Sequence, residues 1–192
     1  DCLLSRGLGD VYKRQGNSQI LLAVKSGKAI RFEENKTRPM GRNASGVRGI
    51  ALNVPTDEVI GMVSVSDPET EILVVSENGY GKRSSLEDYR TTNRGGKGVK
   101  TLSITDKTGS LVSIKNVSDL DDLMIINKSG IAIRMDVANL RVMGRATQGV
   151  KLINLKGSDT IAAVAKVMKD EEEISDNTEE LPTSENDGTN IE

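Results

Sequence analysis

Short apolar runs separated by glycine turns recur along the chain at a fixed interval. Ile20-Leu21-Leu22-Ala23-Val24 runs into Lys25-Ser26-Gly27, Ile72-Leu73-Val74-Val75 into Ser76-Glu77-Asn78-Gly79, and Leu123-Met124-Ile125-Ile126 into Asn127-Lys128-Ser129-Gly130. The three glycines are 52 and 51 residues apart, and Gly46-Val47, Gly98-Val99 and Gly149-Val150 repeat the same steps. The first and third units align without a gap. Ala29-Ile30-Arg31, Arg38 and Met40-Gly41-Arg42 return 103 residues later as Ala132-Ile133-Arg134, Arg141 and Met143-Gly144-Arg145. A period of this length marks a repeat architecture before any single motif is considered.

Each unit carries four strand signals. In the third they fall at Leu123–Asn127, Ile131–Met135, Gly149–Leu155 and Thr160–Val167, broken at Ser129-Gly130 and Lys156-Gly157-Ser158. The runs are too short for helices and rich in Ile, Val and Leu, as buried strands are. Alanine content alone would admit a helix over Ile161–Met168, but its counterparts Val59–Val65 and Leu111–Val117 alternate with β-branched residues, so all three are expected to be strands. Within Ile131–Met135 the period of two puts Ile131, Ile133 and Met135 on one face and Arg134 on the other.

Four strands every ~50 residues predict an all-β, propeller-like fold of three blades, near 18–68, 69–119 and 120–168. Propellers close with about four to eight blades, so either upstream blades precede these or the chain associates. Residues 1–17 match no repeat and read as a cloning or sequencing artefact or a linker. Residues 169–192 are acidic, poor in apolar side chains and expected to be disordered.

Composition changes the picture mainly by exclusion. There is no histidine and a single cysteine, Cys2, in 192 residues. Ser-His-Asp and Cys-His nucleophiles and the usual zinc sites are therefore excluded. No GxxxxGK[ST] phosphate loop occurs and no apolar run approaches a membrane span. Neither a catalytic site nor a cofactor is expected.

The net charge of −2 conceals a division. The last 24 residues hold ten acids and one lysine, and the first 15 hold three basic and two acidic residues. Between them lie 22 basic and 16 acidic residues, a net of +6. A cationic body with an anionic tail is a pattern of nucleic-acid binders.

Alignment of the repeats arranges twelve of those cations in four columns. The first is Arg31, Arg83, Arg134; the second Arg38, Arg90, Arg141; the third Arg42, Arg94, Arg145; the fourth Arg48, Lys100, Lys151. Lys97 joins the third and fourth in Asn93-Arg94-Gly95-Gly96-Lys97-Gly98-Val99-Lys100, whose glycines let backbone approach an anion while Arg and Lys supply donors. A Gly-Gly turn between solvated charges is also an ordinary hairpin connection. The alternative for an arginine column is a set of ion pairs with acids of the neighbouring blade. Against that, no matching columns of acids are evident. Blades repeating a cationic edge suit a polymer with regular phosphate spacing. With one Phe, three Tyr and no Trp, the chain lacks the stacking platforms of single-strand and RNA binders, which leaves duplex DNA held through its phosphates. About ten contacts would give log K against log salt a slope near ~−9.

The repeat, together with Gly79-Tyr80-Gly81-Lys82-Arg83, Arg94-Gly95-Gly96-Lys97-Gly98 and the Met-Gly-Arg-x-x-x-x-Gly-Val segments at 40–47 and 143–150, resembles the C-terminal DNA-wrapping domain of bacterial DNA gyrase A. The resemblance covers 18 to about 168, and the acidic tail fits it. It implies a β-pinwheel of six blades whose outer edge wraps double-stranded DNA, in a cytoplasmic, nucleoid-associated type II topoisomerase. There the remainder of gyrase A and the ATP-hydrolysing gyrase B complete the heterotetrameric supercoiling enzyme. This chain would be the last three blades of the pinwheel. The family's box begins with Gln and two basic residues before Gly-Gly; here Thr92 and Asn93 stand in the first two places, so the box at 94–98 reads as a later copy. The alternatives are the corresponding domain of topoisomerase IV and a protein-binding β-propeller scaffold.

Overall fold

A computed structural model describes residues 17–52, 55–157 and 159–168. The expectations for residues 1–16 and for the acidic tail from 169 lie outside the described residues. Among the described residues there are two single-turn 3-10 helices (Glu34–Lys36 and Leu86–Asp88) and eleven strands: β1 (Gln19–Val24), β2 (Lys28–Glu33), β3 (Val59–Val65), β4 (Glu71–Ser76), β5 (Tyr80–Ser85), β6 (Val99–Lys100), β7 (Leu111–Val117), β8 (Asp121–Asn127), β9 (Ala132–Asp136), β10 (Val150–Lys151) and β11 (Ile161–Met168). The three segments open to a helical reading, Val59–Val65, Leu111–Val117 and Ile161–Met168, are all strands.

The strands form three antiparallel sheets in the orders β3-β1-β2-β6, β10-β5-β4-β7 and β11-β8-β9. In the first two a tight hairpin supplies the two central strands, and in the third the β8–β9 hairpin supplies the centre and one edge. Gly27, at φ +79°, closes the first hairpin, with its amide bonded to the Val24 carbonyl at 3.0 Å. An L-residue would be strained there.

The fourth strand corrects the sequence-based expectation. The run expected over Gly149–Leu155 is regular only at Val150–Lys151, and it pairs with β5 of the preceding repeat, Val150 opposite Gly81. Likewise β6, from the second repeat, pairs with β2 of the first, Ala29 opposite Val99. The first two blades are thus each completed by a strand from the following repeat. Alternation identifies a strand but carries nothing about its partner. The crossing needs glycine at a specific place: a Cβ on Gly98 (φ +71°) would lie 2.6 Å from the Ala29 carbonyl oxygen, and one on Gly149 (φ +79°) 2.6 Å from that of Gly81.

Packing between sheets follows the pleat. Leu21, Ala23 and Ala29 on one face of the first sheet meet Ile72 and Val74 of the second, together with Tyr89, Leu102, Leu111 and Ile114. The opposite face of the second sheet, through Leu73, Val75 and Val117, meets Leu123, Ile125, Val137, Ile153 and Val164. Ile20, Leu22, Val24, Ile30, Phe32 and Ile50 form a third cluster on the far side of the first sheet. Every residue of β4 between Ile72 and Val75 is therefore buried, because the strand is covered on both faces. In the third sheet β9 is an edge among the described residues, and Ile131 and Ile133 are 55% and 38% exposed.

Candidate nucleic-acid interface

Three long connections, 37–50, 90–101 and 140–152, follow the β1–β2, β4–β5 and β8–β9 hairpins. Together they carry ten cations and no Asp or Glu: Arg38, Arg42 and Arg48; Arg90, Arg94, Lys97 and Lys100; Arg141, Arg145 and Lys151. Eight of them are exposed, while Arg94 and Arg145 are half-buried. Lys100 and Lys151 lie on the exchanged strands β6 and β10, so strand exchange sets these two fourth-column cations against the preceding blade.

Backbone bonds tie consecutive connections together at equivalent positions. The Ala51 amide donates to the Gly96 carbonyl at 2.9 Å, and 52 residues on the Ser103 amide donates to the Thr147 carbonyl at 3.1 Å. Third-column side chains add to this: Arg94 Nη1 donates to the Arg48 carbonyl at 3.3 Å and Arg94 Nε to that of Lys36 at 3.0 Å, and Arg145 Nη1 donates to the Lys100 carbonyl at 2.9 Å. The box-like loop of 94–98 borders a cleft of about 190 Å³ lined by Ile30, Arg31, Arg90, Asn93, Gly96 and Lys97 among others.

The first column has a different environment. Arg31 Nε donates to Gln19 Oε1 at 2.5 Å, and its Nη1 to the carbonyls of Leu86 and Tyr89 in the next blade at 2.7 and 2.9 Å. Arg83, 8% exposed, pairs with Glu71 at 2.9 Å and with Asp119. Arg134 Nε pairs with Asp122 at 2.5 Å. Gln19, Glu71 and Asp122 are themselves 52 and 51 residues apart, each 12 before its arginine. The expectation that acids do not recur in matching columns is therefore corrected. Applying the repeat interval to acids and amides as well as to the cations would have found this column. Burial pulls the Arg31 guanidinium below its ordinary pKa, which its neutral partners do not reverse; the Glu87 carboxylate opposes the shift.

Lys82 stands outside the four columns. It occupies the place of Ile30 and Ile133 in the repeat, is fully buried, and donates through Nζ to the Gly144 carbonyl at 2.7 Å and Thr147 Oγ1 at 3.1 Å. Burial, reinforced by nearby Arg145 and opposed by Asp88, lowers its pKa to about 8. The sequence signal was a lysine at the repeat position that holds isoleucine in the other two units. Beside it Tyr89, also fully buried, bonds through its hydroxyl to Thr101 Oγ1, and burial raises its pKa despite that bond.

No helix among the described residues is long and apolar enough to cross a membrane, and no group of His, Cys, Asp and Glu among them is placed to hold a metal.

Packed antiparallel sheets, the first two completed by strands from the following repeat, with a cationic margin along their connections, define a β-propeller-like module of the strand-exchanged kind. A model of the family described as DNA gyrase C-terminal domain, beta-propeller, matches residues 19–66, 70–118 and 121–168, and the chain belongs to that family. It is 46% identical over 175 residues to the A subunit of DNA gyrase from Staphylococcus aureus strain MRSA252, and 46% identical over 176 residues to that of strain NCTC 8325. In the first alignment 91% of this chain is covered and 19% of the relative, so the chain spans about a fifth of the length of these relatives. Among solved structures, a DNA gyrase A C-terminal domain superposes with TM-score 0.72 at 27% identity, covering 79% of this chain and 51% of that one. The C-terminal domain of DNA topoisomerase IV gives TM-score 0.75 at 20% identity, over 80% and 47%, a likeness of fold.

Proposed function

We propose that this chain is a duplex-DNA-binding segment of gyrase A, and that its perimeter bends DNA around the blades in support of negative supercoiling. The observation that carries the reading is the margin itself: ten cations and no acid on three connections bonded to one another in series. Backbone phosphates are contacted without base readout, because point charges on flexible stems give affinity and position but no sequence information. A curved array of contacts offsets the elastic cost of bending, as architectural proteins do. Family membership and the 46% identity to gyrase A support gyrase over topoisomerase IV, whose likeness is of fold. In the whole enzyme the partners would be the remainder of gyrase A together with gyrase B, acting in the cytoplasm on nucleoid DNA. The chain itself supplies no catalytic group in this reading.

The eight exposed cations, Arg38, Arg42, Arg48, Arg90, Lys97, Lys100, Arg141 and Lys151, are the phosphate contacts. If all engage, log K for a duplex longer than the perimeter falls with log salt at a slope near ~−7. Fluorescence anisotropy of labelled duplexes of two unrelated sequences, titrated from low to physiological salt, measures it. A salt-independent affinity, absence of binding at low salt, or strong preference for one sequence refutes the reading and favours a protein-binding scaffold.

A further inference from the structure

Two of the arginines in the perimeter have their donors turned to backbone. Arg94 reaches the Arg48 carbonyl, and Arg145, its counterpart 51 residues later, reaches the carbonyl of Lys100, the counterpart of Arg48. In both cases a third-column guanidinium holds the peptide of the fourth-column cation in the preceding repeat. Beside each lies the equivalent backbone bond, from Ala51 to Gly96 and from Ser103 to Thr147. Arg94 adds a second carbonyl, that of Lys36. A planar guanidinium carries five donors in fixed directions, which suits it to bridging carbonyls in a way a lysine ammonium does not. Arg94 and Arg145 are also the two perimeter cations that are half-buried rather than exposed.

We propose that Arg94 and Arg145 are positioning residues: each staples its connection to the preceding one and thereby fixes the spacing between successive phosphate contacts at Arg48, Lys100 and Lys151. The functional consequence rests on the DNA-binding reading above; the staple itself does not. The third and fourth columns then divide the work. One cation of each pair sets the geometry and the other, with its side chain in solvent, meets the phosphate. Regular spacing matters for a wrapped duplex because each contact must meet its phosphate at the same curvature, and a loosened connection lets neighbouring contacts slip out of step.

The test uses the full chain and two measurements. Amide hydrogen exchange followed by NMR reads the staple without DNA. Arg94→Ala speeds exchange at Ala51, and Arg145→Ala at Ser103, by about tenfold relative to the amides of β4 and β8. Arg48→Ala and Lys100→Ala, which leave the accepting carbonyls in place, do not. Arg145→Lys, which keeps charge and one reach to a carbonyl, restores part of the protection at Ser103. Unchanged exchange at Ala51 and Ser103 overturns the proposal, and so does uniform acceleration across all sheets, which would mark general packing. The salt slope of duplex binding separates staple from phosphate ligand. Arg48→Ala and Lys100→Ala each reduce its magnitude by ~0.9, whereas Arg94→Ala and Arg145→Ala weaken binding without changing it. A slope reduced by ~0.9 in the latter pair makes these arginines phosphate ligands and overturns the staple. Failure of the wild-type chain to bind duplex overturns the DNA reading, while the exchange measurement still decides the staple.

Discussion

Replacement of Lys82 by Met is expected to remove most of the alkaline pH dependence of folding. Lys82 is fully buried between the second sheet and the connection carrying Gly144 and Thr147, and its pKa falls from 10.5 to about 8. In the unfolded chain the amine keeps its ordinary value, so between pH 8 and 10.5 the unfolded state binds more protons than the folded one. Stability then rises with pH across that window, and the full cost of charging the buried amine is present below about pH 8. With the pKa lowered from 10.5 to about 8, the wild-type chain gains on the order of 2–3 kcal/mol from this group between about pH 7 and pH 10. The charged groups acting on the amine are Asp88 and Arg145. Tyr89, with its raised pKa, works in the opposite sense: it keeps its proton longer when folded, so stability falls as pH rises past the unfolded value near 10. It is present in both proteins and cancels in the difference. Methionine keeps the length and apolar stem but cannot donate to Gly144 or Thr147, which costs about 1–3 kcal/mol and offsets the relief of the buried charge near neutral pH. Urea unfolding followed by circular dichroism at about pH 7, 8, 9 and 10 gives both curves. Their difference should grow towards the alkaline end in favour of wild type; parallel curves would show that Lys82 titrates normally and that the burial argument is wrong.

Two further sets of substitutions probe the blades. Gly98→Ala and Gly149→Ala each place a methyl about 2.6 Å from a backbone oxygen of the preceding blade at positive φ. Each should cost at least ~2 kcal/mol by urea unfolding, against ~0.5 kcal/mol or less for Gly41→Ala, whose Cβ meets nothing within 4 Å. Equal effects would mean that the exchanged strands are not closely packed. Arg83→Leu strands Glu71 at a site where the Arg83 side chain is 10% exposed and should cost about 3–5 kcal/mol. Glu58→Gln, which breaks an exposed pair with Lys25, should change stability by under ~1 kcal/mol in the same thermal or urea assay.

The sequence by itself determined the repeat, most of the strands and the breaks between adjacent runs. All of these rest on local spacing: glycines at 27, 79 and 130 close turns between adjacent runs, and alternation assigns each run a face. The columns of cations were also legible, because the same interval generates them. What each cation does was not. Arg31, Arg83, Arg94 and Arg90 look alike along the chain. In the fold the first clasps the carbonyls of the next blade, the second is buried with Glu71, the third bridges two connections, and the fourth is exposed. The partner column of Gln19, Glu71 and Asp122 was written in the sequence at the same interval and was missed because it mixes an amide with two acids. Strand exchange could only be decided in three dimensions. Whether Val99-Lys100 and Val150-Lys151 complete their own sheet or the preceding one depends on where a long connection returns and on glycine contacts with a distant backbone, and neither leaves a mark in the period of a two-residue strand. That choice sets the perimeter, because it carries Lys100 and Lys151 onto the neighbouring blade, while Arg94 and Arg145 hold the peptides of Arg48 and Lys100.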